Sequence, residues 1–461
     1  MHSAKSRQKQ TDMLHGPLAR KIFIFSLPLI ASGILQQSFN AVDVAVIGHY
    51  STSHAIAAVG SNGPIISILV NLFLGIAIGA NVVIANYIGI GHRDNIRNAI
   101  ATSWSVALLS GFALLVIGTS LARPILEAMD APPDVIDLAA RYLRIYFCGM
   151  PFMMVYNFGG AILRSFGDTN KLFYSLSIAT VCNLILDWIF CGVFGWGVEG
   201  VAWATVIANA VNAFIMTGYL THEPLPYTLD LRPRSWRLSG TDLRKMLQIG
   251  IPAGLQGMVF SISNIFIQAS INSFGADAIA GSATALTYES YCYYIVAGFC
   301  GATIAFTGQN YGAGNLDRCR RVWAVCMTFS VVVCGLANLL LYWQEDAAFR
   351  VFTTDPEVMR YASIRFHTVL LFQALASSYE ISGSYMRGLG YSVIPMLLTI
   401  FGTCVLRLVW VCIFPMINHS FATLLSIYPV TWVVTGVLVV AAAFRVQHLV
   451  ERKAAAQAAT R

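Results

Sequence analysis

The chain has 461 residues, of which 11% are charged and 57% hydrophobic, and its formal net charge is +7. A soluble globular protein usually carries about 25% charged residues, so this composition excludes an ordinary water-exposed surface. The hydrophobic residues form long blocks with the charges clustered between them, which predicts an all-α integral membrane protein. We expect no nucleic-acid partner, because the basic residues lie at the ends of the apolar blocks, where membrane topology accounts for them.

Twelve blocks are long enough to cross a bilayer, which takes about 20 apolar residues per helix. Six of them form a predicted N-terminal lobe at 21–220 and six a C-terminal lobe at 245–445. We expect cytoplasmic tails at 1–20 and 446–461 and a cytoplasmic linker at 221–244. The predicted spans are 21–48, 57–87, 98–121, 137–163, 171–194, 198–220, 245–272, 278–311, 322–343, 360–386, 392–415 and 421–445.

Basic residues mark alternate connections between the spans. Lys and Arg concentrate before the first span, in the even-numbered connections and after the last span, whereas the first, fifth, seventh and eleventh connections have none. This is the positive-inside pattern, and it predicts a multi-pass protein of the inner (plasma) membrane with both termini cytoplasmic. The first twenty residues are polar, so we expect no cleaved signal peptide.

The two lobes are copies of one six-span repeat. At a shift of 223 or 224 residues the following positions coincide: Pro28 with Pro252, Gly89 with Gly312, Gly91 with Gly314, Asp94 with Asp317, Arg164 with Arg387, and Gly167 with Gly390. Because six is an even number, both copies enter the bilayer from the same side. We therefore expect a pseudo-twofold axis along the membrane normal.

The paired prolines lie inside predicted spans. Pro28 and Pro252 each lack the backbone N–H that a helical hydrogen bond needs, so we expect a kink at each of them. A bend in span 1 could link ion binding to the shape of a cargo cavity, or the prolines could serve packing alone.

Several motifs resemble those of the multidrug and toxic compound extrusion (MATE) family of the MOP flippase superfamily. The resemblance runs from about Arg20 to Arg445, and it is carried by Pro28, Asp43, the Gly89–Asp94 turn, Leu163–Asp168, Asn183–Asp187 and Gly197–Thr205. It implies two six-helix lobes that exchange cationic and amphiphilic compounds for H⁺ or Na⁺. Some members have a cation site with Glu in the seventh span and Asp in the tenth. The seventh span here has no acidic residue, so that site is not carried over.

Four polar residues of the first lobe form a candidate ion-coupling site. Asp43 of span 1, Asp187 of span 5 and Thr205 of span 6 lie about six to eight residues from the same side of the membrane, hence at about one depth. Asn183 lies one helical turn from Asp187. Two nearby carboxylates favour binding of a proton or Na⁺, although such residues could also hold helices together. Their repeat positions, Ile267 and Trp410, are not acidic, which favours the coupling role because coupling needs one site only.

The second lobe has its own intramembrane acids. Glu289 of span 8 and Glu380 of span 10, with Tyr288 and Tyr291, form a candidate substrate cavity, since a carboxylate beside aromatic rings suits an organic cation. A buried, satisfied acid is the alternative for each of the two, with Arg407 of span 11 as a candidate partner.

Three classes of function compete: a drug–ion antiporter, a lipid-linked precursor flippase or dedicated metabolite exporter of the same superfamily, and a membrane enzyme. The sequence has no phosphate-binding G-x-x-x-x-G-K-[ST] loop and no H-E-x-x-H motif. A flippase for a lipid diphosphate would need basic residues in its cavity, whereas the intramembrane charges here are mostly acidic. We therefore predict a monomeric, non-enzymatic secondary active exporter of small organic cations or amphiphiles, working by alternating access without a cofactor.

Overall fold

The computed structural model describes residues 11–50, 53–128, 133–222, 229–230 and 238–459; within its helices, the side chains at 40, 44–45, 47–50, 53–61, 128, 133–134 and 458–459 are not described. Nearly all of these residues are helical, and the described ranges contain no β-strand. A helix satisfies its backbone hydrogen bonds internally, as a bilayer requires. The predicted all-α membrane fold is confirmed. Residues 223–228 and 231–237 of the predicted linker lie outside the described part.

Spans 1 to 6 lie where the sequence predicts them; all but span 5 extend beyond the predicted bounds at both ends, and span 5 is shifted by one residue. They are Leu18–Tyr50, Ser53–Ile90, Arg93–Ala128, Pro133–Cys148 with Met150–Ser165, Asn170–Asp187 with Trp188–Val193, and Gly197–His222. Span 4 is bent by 46° at Gly149, between its two helices. Pro151 is the second residue of the helix that follows, where its missing N–H is tolerated.

Spans 7 to 12 follow the same order. They are Gly240–Asn272, Ala276–Gly312, Leu316–Trp343, Pro356–Thr368 with Leu370–Ala376 and Ser377–Gly388, Val393–Thr399 with Ile400–Val405 and Leu406–Ile417, and Phe421–Leu425 with Ile427–Ala459. A short helix, Glu345–Arg350, precedes span 10.

Span 10 differs most from the prediction of one continuous helix. Ten helices of the described chain are long and apolar enough to cross a membrane, and the bent pair of span 4 makes an eleventh. Span 10, the twelfth segment, is divided into three pieces by the 3₁₀-helix Leu370–Ala376. Its first piece starts at Pro356, and the side chain of the preceding Asp355 caps this helix by accepting hydrogen bonds from the backbone N–H groups of Glu357 and Val358. Its polar residues, Arg365 and Glu380 among them, reduce its apolar character.

The turns between spans repeat in the two halves. Gly91 after span 2 and Gly314 after span 8 have φ values of 81° and 75°. Only glycine adopts this conformation without strain, so a glycine is required at both turns. Gly167 and Gly390, also 223 residues apart, have φ values of 85° and 90°. The Gly-rich segments are thus tight turns between helices.

Contacts divide the chain into two compact units. The first unit comprises Ala31–Gly254 with residues up to Asp12, and the second comprises Met13–Ile30 with Leu255–Arg461. Spans 2 to 6 lie wholly in the first unit and spans 8 to 12 wholly in the second. The helices of spans 1 and 7 each contribute to both.

Candidate ion-coupling site

The four predicted coupling residues meet inside the first unit. Asp43 comes from span 1, Asn183 and Asp187 from span 5, and Thr205 from span 6. Their exposed fractions are 6% for Asp43, 0% for Asn183 and Asp187, and 4% for Thr205. Two acidic side chains are therefore removed from solvent in the interior of one helical bundle, where an isolated charge is costly.

Hydrogen bonds join the four side chains. Thr205 Oγ1 lies 3.3 Å from Asp43 Oδ2 and 2.9 Å from the carbonyl oxygen of Val201, so its proton has two competing acceptors. The surrounding acceptors assign the nitrogen of the Asn183 amide to the side that faces the acids. In this orientation it donates to Asp43 Oδ1 and to Asp187 Oδ2, each at 3.1 Å. One amide thus bridges both carboxyl groups.

The two carboxyl groups are also within hydrogen-bonding reach of each other. Two carboxylates this close repel each other, so a proton on either acid would remove the repulsion and supply a hydrogen-bond donor. Asp187 Oδ1 is buried and makes no hydrogen bond within the described residues. The arrangement can therefore hold one proton between two acids, or a monovalent cation in its place.

Apolar and aromatic residues surround the acids. An apolar cluster is formed by the buried side chains of Tyr142, Cys191, Val198, Val201 and Ala202. The ring of Tyr142 stacks on that of Tyr146 with centroids 5.9 Å apart, and Tyr142 interacts electrostatically with both Asp43 and Asp187. These neighbours exclude water and strengthen the interaction between the carboxyl groups.

The helix changes its winding directly after Asp187. The α-helix Asn170–Asp187 continues as a π-helical turn over Trp188–Val193. Single π-turns inside α-helices occur often at functional sites. The wider turn follows immediately after the acid, at the point where span 5 passes the apolar cluster.

The repeat-equivalent positions in the second unit carry no acid. Ile267 is 1% exposed and lies in that unit's apolar core. The indole nitrogen of Trp410 donates to the carbonyl oxygen of Thr423 at 3.1 Å. The paired carboxyl groups are thus a feature of the first unit.

Glu289 has a partner that differs from the one considered from sequence. The guanidinium of Arg365 in span 10, and not that of Arg407, forms a two-bond ion pair with it: Nε to Oε1 at 2.6 Å and Nη2 to Oε2 at 2.9 Å. Arg365 also donates to Ser282 Oγ at 2.6 Å, and the two charged side chains are 2% and 7% exposed. This geometry favours the satisfied-acid alternative, since the charge of Glu289 is already neutralised.

The environment of Glu380 differs from that of Glu289. It is half-buried in the helix Ser377–Gly388 and makes no ion pair within 4.0 Å among the described residues. The hydroxyl of Tyr293 is within hydrogen-bonding reach of its carboxyl group. Glu380 is therefore an acid that lies next to an aromatic ring, with Arg387 as an electrostatic neighbour.

The remaining candidates have mixed surroundings. The Tyr288 hydroxyl donates to the carbonyl oxygen of Ala348 at 2.8 Å, and its ring packs edge-on against Phe352 and Phe366. Tyr291 is half-buried. Pro28 and Pro252 both lie inside helices that continue past them. A conformational role for the prolines stays a prediction.

Sequence reasoning missed Arg365 and the tyrosines beside Asp43. One signal for Arg365 was present, because an arginine in the middle of a span is costly without an acid. In the second half, the intramembrane acids singled out were Glu289 and Glu380. Tyr142 and Tyr146 carry no such signal, since tyrosines in membrane spans need no charged partner.

Within the described residues, no group of three or more His, Cys, Asp or Glu side chains could hold a metal ion.

Comparison with known proteins agrees with this architecture. A "Probable multidrug resistance protein YoeA" of Bacillus subtilis is 28% identical over 387 residues, which are 83% of this chain and 84% of that protein. An "FAD transporter" of Shewanella oneidensis is 24% identical over 363 residues, which are 76% of this chain and 78% of that protein. A solved outward-facing multidrug resistance MATE family transporter of the MOP superfamily has a TM-score of 0.89 at 21% identity, covering 96% of this chain and 99% of that one. It shares the fold.

The family profile itself matches in duplicate. The MatE profile fits residues 28–189 and again residues 252–413, so each match begins at one of the paired prolines. The two matches reproduce the repeat found in the sequence and together cover more than half of the chain. This protein therefore belongs to the MatE family.

Proposed function

We propose that this multi-pass membrane protein is a secondary active efflux transporter that exports small organic cations and amphiphiles in exchange for an ion. The observation that carries the proposal is the buried Asp43–Asp187 pair bridged by Asn183. Two acids that lie this close together inside an apolar bundle strongly favour the binding of one positive charge. The multidrug resistance name of the YoeA relative supports the cargo class.

A dedicated metabolite exporter is the second candidate. It rests on the similarity to the FAD transporter of Shewanella oneidensis, because that relative's name specifies one metabolite. The two candidates share the fold and the coupling site and differ only in cargo.

The coupling ion we propose is H⁺, with Na⁺ as the alternative at the same four residues. The orientation of the Asn183 amide is assigned from its hydrogen bonds: with the nitrogen toward the acids, it donates to both carboxyl groups. Na⁺ prefers oxygen ligands, so its binding would favour the opposite orientation, with the amide oxygen toward the acids. A proton shared by Asp43 and Asp187 is compatible with an amide that donates to both of them. No other cofactor is needed.

The mechanism follows from differential binding. A proton on the acid pair removes the repulsion between the carboxyl groups, whereas its release leaves two buried charges that favour rearrangement of spans 1, 5 and 6. Cargo and proton then shift the same conformational equilibrium in opposite directions, which is the condition for exchange. Glu380, with Tyr293 beside it, is the group we propose for contact with a cationic cargo.

Vesicle transport tests the coupling. Purified protein in lipid vesicles is expected to accumulate or expel a cationic dye when a pH gradient is imposed, and to show no response to a Na⁺ gradient at constant pH. Dye fluorescence measures the rate. Transport driven only by the Na⁺ gradient would contradict proton coupling, and transport driven by neither gradient would contradict antiport.

Orientation is a separate proposal. The alternation of basic connections supports cytoplasmic termini in the plasma membrane. That the protein acts as a monomer is likewise a proposal. Reporter fusions at residues 196, 275 and 418 are expected to read outside and one at residue 232 inside. An outside reading at 232 would overturn the topology.

A further inference from the structure

We infer that the second unit contains a site for one carboxylate group of the exported compound, centred on the guanidinium of Arg407. Arg407 lies in the helix Leu406–Ile417 of span 11 and is fully buried, with 0% of its surface exposed. The inference rests on the proposed function in one respect, namely that the carboxylate belongs to a cargo molecule.

The guanidinium of Arg407 forms no ion pair within 4.0 Å among the described residues. Its Nε lies 3.4 Å from Thr431 Oγ1 and its Nη1 lies 3.5 Å from Asn264 Oδ1, so both contacts are long and both partners are neutral. Nη2 is buried and makes no hydrogen bond within the described residues. A buried arginine normally has a carboxylate, as Arg365 has in Glu289.

Aromatic rings compensate this charge only in part. The Arg407 guanidinium lies 4.2 Å from the centre of the Tyr428 ring and 5.3 Å from that of Phe260. Such contacts attract a cation but do not satisfy its N–H groups, so the donor at Nη2 remains unused. The site is therefore incomplete without a hydrogen-bond acceptor.

The missing ion-pair partner of Arg407 identifies the acceptor. Arg365 lies on the other side of the same aromatic residue, 5.7 Å from the Tyr428 ring centre, and Glu289 is its ion-pair partner. Arg407 has no acid within ion-pair distance among the described residues, so a partner for its single positive charge is lacking. A carboxylate supplies one negative charge, whereas a phosphate monoester supplies about 1.5 to 2 and would overcompensate. A carboxylate also matches the guanidinium with two parallel hydrogen bonds.

Residues that contact the guanidinium extend to the surface of the unit. Asn264 is exposed, and Phe260 and Tyr428 are half-buried. The Asn264 amide covers Nη1 at the limit of hydrogen-bonding distance, so a carboxylate could replace it with little loss.

Glu380 could bind a second group of the same cargo molecule. Tyr379 interacts electrostatically with both Glu380 and Arg407, so the unpaired acid and the unpaired base lie near one aromatic residue. An aromatic zwitterion, with a cationic group for Glu380 and a carboxylate for Arg407, would satisfy both. This names the cargo class more narrowly than an organic cation.

Two dyes that differ only at the carboxyl group test the inference. Rhodamine 110 has a free carboxylate, and rhodamine 123 is its methyl ester. Fluorescence anisotropy with purified protein in detergent is expected to show that Arg407→Gln weakens rhodamine 110 about 10- to 100-fold, the loss of a hydrogen-bonded charge contact, and changes rhodamine 123 little. Arg407→Lys should give an intermediate loss, because lysine keeps the charge without the two-bond geometry.

A second variant keeps the test valid if Arg407→Gln fails to fold. Asn264→Asp places a carboxylate of the protein beside the guanidinium, so it should compete with the dye, reduce rhodamine 110 affinity to a similar extent and leave Arg407 better satisfied. Ser261→Ala, three residues away on the same helix, is the matched control and should change neither dye.

Several results would overturn the site. Equal weakening of both dyes by Asn264→Asp, or weakening of neither, would show that Arg407 has a structural role. Tighter binding of an otherwise identical phosphate-monoester dye would overturn the assignment to a carboxylate. Equilibrium binding needs no ion gradient, so a failure of antiport would leave these measurements intact, and binding of rhodamine 123 reports separately on cation recognition.

Discussion

Replacing Asp187 by Asn is expected to abolish gradient-driven export, lowering the driven rate about 100-fold to the level of passive exchange. The substitution keeps the shape and polarity of the side chain and removes only its ability to gain and lose a proton. Asp187 is fully buried, its Oδ2 accepts from Asn183, and its Oδ1 makes no hydrogen bond within the described residues. Dye transport in vesicles under an imposed pH gradient measures the effect.

Asp43→Asn should also uncouple transport, but less completely. Asp43 has a second partner in Thr205, at 3.3 Å, and its exposed fraction is 6%. With Asp43 neutral, Asp187 can still titrate, although it no longer shares a proton. We therefore expect residual driven transport in Asp43→Asn and none in Asp187→Asn.

Glu380→Gln is the matched control for these variants. It removes an acid from the second unit, so gradient-driven transport of a neutral dye should persist. Binding of a cationic dye should weaken by about 1–2 kcal/mol, a five- to thirtyfold change, because a partly screened charge contact is lost. Normal driven export in both aspartate variants at wild-type expression would place the coupling site elsewhere, and Glu380 would then be the first alternative.

The proximity of the candidate coupling residues could be predicted because membrane geometry reduces the problem to depth along each span. Counting residues from the span ends placed Asp43, Asp187 and Thr205 at one level, and the structure brings their side chains together. The orientation of the Asn183 amide could not be predicted, since it depends on which atoms face it. The π-helical turn after Asp187 has no sequence signal in the apolar run Trp188–Val193.

Pairing across the second unit was harder to predict. Glu289 and Arg365 are 76 residues apart, and span 10 is divided into three pieces after Arg365. Because the 3₁₀-helix Leu370–Ala376 changes the rotation per residue, the faces of span 10 do not follow from a continuous helical wheel. The sequence therefore revealed the acid and its depth but not its partner.

Glu289→Gln is expected to destabilise the protein by about 3–5 kcal/mol, the cost of leaving one member of a buried ion pair without its partner. The Arg365 guanidinium would lose both charged contacts, at 2.6 and 2.9 Å, and keep only Ser282 and the Tyr428 ring. Thermal unfolding in detergent, followed by tryptophan fluorescence, should show a midpoint several degrees lower. We expect this loss of stability, and not a change in cargo selectivity, to be the main effect of the substitution.

A double variant separates loss of the pair from loss of a cargo contact. In Glu289→Met with Arg365→Met no buried charge is left uncompensated, so the midpoint should recover to near the wild-type value or above it. Glu357→Gln is the matched control, because its ion pair with Arg360 lies on the same span and is more than half exposed, so its loss should leave the midpoint unchanged. If Glu289→Gln left the midpoint unchanged while it weakened cationic cargo, Glu289 would be a substrate contact, since only a group that is free to leave Arg365 can bind a cation.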